Sequence, residues 1–154
     1  MSQISGAIHT DFELEQYLLE LYHEVNSLVY ADEDGTSKEN KFTEYVMELL
    51  AEAGETESIR LCPYVKENKL ENIQYKINGY GIEEGYETLH IFITHFQDTN
   101  QLYRVSKPDF DKLVKWPAGF LNAAFKGHLE DIEPSTEAYG LARLIKDNYK
   151  EIDR

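Results

Sequence analysis

The chain has a single cysteine, Cys62. That excludes an internal disulfide and suits a reducing cytoplasm. It has no apolar run of about 18 residues, so no membrane-spanning helix is expected. The opening "MSQISGAIHTDFELEQ" has no basic region leading into an apolar one, so no signal peptide is expected either. Cations are scarce: 15 Lys and Arg stand against 29 Asp and Glu, for a net charge of −14. The imbalance is concentrated early, with 14 acids and 3 bases in residues 1–60. Such a surface repels phosphate, so direct nucleic-acid binding is not expected of this chain. A cation or a basic protein is an easier partner, and the commonest use of such charge is solubility.

Several catalytic signatures are also missing. There is no G-x-S-x-G elbow, and nothing around Cys62 marks a nucleophile, so Cys62 reads as a small buried hydrophobe. The run "GYGIEEG" has no Lys-Ser/Thr after it and no crossover helix, so it is not a phosphate loop. His90 and His95 lie five apart on a strand and point to opposite faces, so they cannot share a zinc without a bulge. "ADEDGTSKEN" lacks the ligand pattern of an EF-hand and reads as a surface loop.

What is present is periodic. At 154 residues the expectation is one domain, residues 1–154. Leu14, Tyr17, Leu18, Leu21, Val25 and Leu28 predict a helix over 11–30, capped by Thr10 or Asp11. Phe42, Tyr45, Val46, Leu49, Leu50 and Ala53 predict a second over 38–53, with Ser37 as cap and Gly54 as stop. A short strand is expected over 60–64. Ile73, Tyr75 and Ile77 alternate with Gln74, Lys76 and Asn78 as a strand with one buried face. Gly79, Gly81 and Gly85 then mark a bend. The run from Leu89 to Phe96 is apolar on both faces, which predicts an interior strand antiparallel to the one before it. Ser106 and Pro108 open a helical segment that Pro117 should break or kink, and a last helix is expected over 135–150. The fold class is α+β: a small mixed or antiparallel sheet flanked by four helices. So few strands for four helices point to an N-terminal fragment of a longer chain.

Metal chemistry needs oxygens converging at strand ends. The candidate metal ligands are Glu48, Asn78, Glu83 and Glu84, with Asp98 nearby in sequence; the candidate catalytic residues are Glu48, Asn78 and His95. Glu44, Glu48 and Glu52 share one side of the second helix, which reads first as a solvated face. Against catalysis, "LHIFITHF" has no acid and no lysine, and Thr94 and His95 stand where an acid is wanted. No cofactor is expected. Mg²⁺ or Mn²⁺ enters only if the chain is a nuclease.

The segments "FTEYVMELLAEAGE" (42–55) and "YKINGYGIEEGYETLHIFITHF" (75–96) resemble the N-terminal domain of the AIPR family, bacterial abortive-infection phage-resistance proteins. The shared pattern is a helix ending in E-A-G-E, a tyrosine near Tyr64, an I-D/H/N-G-Y strand, an acidic turn and an L-x-L-F-I-x-D/H-F strand. The resemblance implies antiphage defence in a bacterial cytoplasm and a fold loosely like restriction endonucleases, with a further strand following the last helix. It supplies no catalytic residue: Asn78 and His95 occupy places where acids are implied. The reading that follows is a non-catalytic or vestigial nuclease-like module acting through protein association, with the rest of its own chain, another protein or a second copy as partner. The alternatives are a metal-dependent nuclease domain and a small acidic nucleic-acid mimic.

Overall fold

The computed structural model describes residues 2–32, 37–83, 85, 87–148 and 150, with side chains from residue 11 onward. Seven elements follow in the order ααβββαα: α1 (Ser2–Ala31), α2 (Lys38–Glu52), β1 (Ile59–Glu67), β2 (Ile73–Ile82), β3 (Leu89–Phe92), α3 (Lys107–Phe125) and α4 (Glu137–Asn148). The expected class, α+β with an antiparallel sheet and four helices, is what the chain forms.

Helix α1 starts earlier than the predicted cap at Thr10 or Asp11. Residues 2–10 hold no proline and no charge, and Gly6 alone does not stop a helix. Helix α2 begins as predicted: the Ser37 hydroxyl accepts the Asn40 N–H at 3.2 Å. Gly54, at φ 73°, provides the left-handed exit. Its sheet-facing stripe differs from the predicted one, because the fully buried positions are Thr43 and Met47. Helix α3 is capped by Ser106 on the Asp109 N–H, with a proline in its first turn, and it continues past Pro117 rather than breaking there. An internal proline costs about 3 kcal/mol in an isolated helix. Here Phe120, Ala123 and Ala124, all beyond the proline, are buried and hold the second half in place.

The sheet order is β1-β2-β3, antiparallel throughout. Two expectations change here. Gly79 and Gly81 lie inside β2, paired with Phe92 and His90, and the reversal comes after Ile82. Glycine at 79 serves close approach: a Cβ there would run into the Met47 side chain and lie 2.8 Å from the Arg60 carbonyl. The second change concerns β3, which is an edge strand rather than an interior one, while β2 is central. Its apolar alternation reports which faces are covered, not how many neighbours its backbone has.

The core lies on one side of the sheet. Cys62, Ile77 and Tyr80 from the strands meet Phe120, Ala123 and Ala124 of α3 and Ala138, Leu141, Ala142 and Ile145 of α4. Gly119 lets α3 approach closely, since a Cβ there would sit 2.8 Å from the Tyr75 ring. On the other side α2 covers the sheet and α1 packs on α2.

Candidate functional site

Asn78 is the most buried polar residue described, at 1 % exposure. It sits mid-strand in β2, facing α2. Its Nδ2 donates to Glu39 Oε1 at 2.8 Å, and its Oδ1 accepts the Thr94 backbone N–H at 2.8 Å. The same Glu39 oxygen receives Lys76 Nζ at 2.7 Å. Thr43 donates its hydroxyl to the Glu39 carbonyl at 2.8 Å, and its oxygen lies 2.6 Å from the Thr94 hydroxyl. Since the Thr43 proton is committed to that carbonyl, Thr94 is the donor in the hydroxyl pair. Five residues from α2, β2 and the segment after β3 thus form one closed network.

The network has a local origin. Glu39, Thr43 and Met47 recur every four residues on α2 and so line one face. Lys76 and Asn78 are two apart on β2 and share the face opposite them. Asn78 and Gly79 then both face α2, since Gly79 meets Met47, whereas Tyr80 turns to the other side and donates to Glu137 at 3.1 Å. The irregularity coincides with a register shift in β1 between Leu61 and Tyr64. It also explains where β3 stops. Beyond Phe92 the Thr94 N–H goes to the Asn78 side chain instead of a β2 carbonyl.

Of the candidate metal-ligating and catalytic residues, only Asn78 belongs to this network. Thr94, which the sequence marked only as standing where an acid is wanted, joins it there. Glu48 is exposed on α2. Nine residues after Glu39, at about 100° per residue, it lies on the opposite side of the helix. His95 packs edge-on against Tyr103 at 5.8 Å. Glu83 sits at the hairpin end, with its Oε1 3.0 Å from His90 Nε2. Asp98 pairs with Lys38 at 2.8 Å. Glu84 lies outside the described residues. Glu39 was missed by the sequence reading. Its signal was the four-residue spacing with Thr43, outranked there by the apolar stripe through Phe42 and Val46.

This donor set does not suit a divalent cation. Mg²⁺ needs several oxygens in near-octahedral array. Here there is one carboxylate, with an oxygen already shared by an ammonium and an amide, and the Asn78 oxygen is taken by a backbone N–H. Among the described residues no three His, Cys, Asp or Glu converge on a metal-sized site. Cys62 offers no alternative chemistry. It is fully buried, and burial pushes its thiol up to about 12, so no thiolate is present at neutral pH.

The family model of the abortive infection phage resistance protein N-terminal domain matches residues 42–154. The chain belongs to that family. No curated protein and no solved structure matches it. The family description ties the chain to abortive infection phage resistance. Within this AIPR N-terminal domain the match takes in Thr43, Lys76, Asn78 and Thr94, while Glu39 and all of α1 precede it. The network is therefore closed by an acid from outside the matched region.

Proposed function

We propose that this AIPR N-terminal domain is a non-catalytic, vestigially nuclease-like module of a cytoplasmic antiphage protein, and that it acts through protein association. The observation that carries this is the saturation of the Asn78 network. A helix acid, a central-strand amide and a lysine meet in this network, which holds one carboxylate where metal-dependent cleavage would need several. They are spent on one another and on the fold. Their chemistry is that of a clamp joining α2, β2 and the segment after β3. The net charge of −14 further opposes approach to nucleic acid.

The test is a nicking assay on supercoiled plasmid with Mg²⁺ and with Mn²⁺. The expected result is no cleavage by the purified protein. Cleavage that disappears in Glu39→Gln while the fold is retained would overturn the proposal.

A further inference from the structure

Strand β3 leaves one side of its backbone open. Glu83 N–H donates to the Thr88 carbonyl at 3.1 Å, and the pairs Gly81↔His90 and Gly79↔Phe92 continue that register in steps of two. Antiparallel ladders alternate, so His90 and Phe92 turn their backbone groups toward β2, and Leu89 and Ile91 turn theirs away. Among the described residues, neither Leu89 nor Ile91 has a backbone partner on that outer side. Among the described residues the four helices make their main contacts with one another, with β1 and with β2 rather than with β3.

Natural sheets protect an open edge with charge, proline, bulges or a covering element. The other edge, β1, has three of these: the charges of Arg60, Lys66 and Glu67, Pro63, and two register shifts; α2 and α4 pack on its two faces. The β3 edge lacks the charge, the proline and the register shift. Residues 88–97, "TLHIFITHFQ", contain no Asp, Glu, Lys or Arg.

We infer that β3 is the chain's association surface and that it pairs antiparallel with β3 of a second copy, joining two sheets into one of six strands. This rests on the protein-association reading above and names its surface. A second copy fits for two reasons. First, the run is self-complementary about Ile91: Ile91 opposes Ile91 and His90 opposes Phe92 within β3, and Leu89 of each copy faces Ile93, one residue past the strand's end, so the central Ile91 pair supplies two backbone hydrogen bonds and extension of the pairing over Ile93 supplies about four more. Second, two chains of net charge −14 repel, and this uncharged run lets their backbones meet without placing like charges opposite each other. A basic partner would find no acid within the run to select it.

Sedimentation equilibrium on the intact chain, from about 1 to about 500 µM, should show a dimer populated by mass action. Added salt should tighten it, because salt screens the like charges. Amide hydrogen exchange at Leu89 and Ile91 should slow as the protein is concentrated, and this readout needs no variant. Ile91→Pro removes an N–H that points away from β2, so the internal ladder stays intact. It should weaken the dimer about tenfold or more, a loss of about 1.4 kcal/mol. Val65→Lys, on the β1 edge, should leave association unchanged. A monomer at every concentration overturns the pairing, as does a dimer whose Leu89 and Ile91 amides exchange as in the monomer. Neither result touches the non-catalytic reading, which fails only if the plasmid is nicked.

Discussion

Strand β1 lies against α2 and α4, carries Pro63 and three charges, and shifts register twice along its pairing with β2. Strand β3, at the other margin, is four residues long, uncharged, and attached to the fold through β2 and the Asn78 clamp. Both are edges, yet only one is finished. Side chains of β1 reach the deepest part of the core, with Cys62 at 0 % exposure and Tyr64 edge-on against Phe120 at 5.5 Å. Every residue of β3 is only partly buried. The difference teaches that burial and edge protection go together here: the margin with the core behind it is also the one that carries charge, a proline and register shifts.

The largest expected effect probes the finished side. Phe120→Ala empties a fully buried ring site beneath β1 and should cost about 3–5 kcal/mol in urea unfolding. The clamp comes next. Asn78→Ala leaves the Thr94 N–H unpaired and removes a donor from Glu39, for a loss of about 2 kcal/mol. Hydrogen exchange should then rise first at Thr94, loosening the β3 side while β1 stays protected. Phe92→Ala, on the open margin, should cost about 1–2 kcal/mol, since the ring is only half buried. A loss equal to that of Phe120→Ala would erase the contrast between the margins.

The smallest effect near neutral pH concerns Cys62, the buried thiol of β1. Its folded value of about 12 lies above the ordinary 9.0. A raised value means that the fold favours the neutral thiol, so its contribution is complete below pH 9 and is lost as the pH climbs from there toward 12. Thermal melts should therefore fall across that alkaline range. At pH 8 a thiol reagent should label Cys62 in urea and leave the native protein unlabelled. Native labelling at comparable speed would show that β1 is no better sealed than β3.

Local signals in the sequence predicted local structure well. The Ser37 and Ser106 caps, the Gly54 exit and the four-residue and two-residue periodicities placed α2, α3, α4 and β2 to within a few residues, because each depends on neighbours in the chain. Gly79 and Gly81 misled, since glycine marks both turns and close contacts, and only the position of Met47 distinguishes them. Pro117 does not end α3, because burial beyond it outweighs one lost hydrogen bond. The candidate site was legible in part. Asn78 stood out by its place in an apolar hairpin, but Glu39, 39 positions earlier, joins it only through the packing of α2 on the sheet.

By itself, then, the sequence determined the element types, the α+β class, the acidic surface and the family, all of which are carried by composition, short periods and ordered motifs. Tertiary structure decided three things that have no local signature. It set β2 at the centre and β3 at the edge, it made Asn78 part of a clamp with Glu39 and Lys76, and it packed helices on both faces of β1 while β3 took its main contacts from β2. Each is a long-range pairing, and sequence periodicity reports which way a side chain points, never which distant residue will be waiting there.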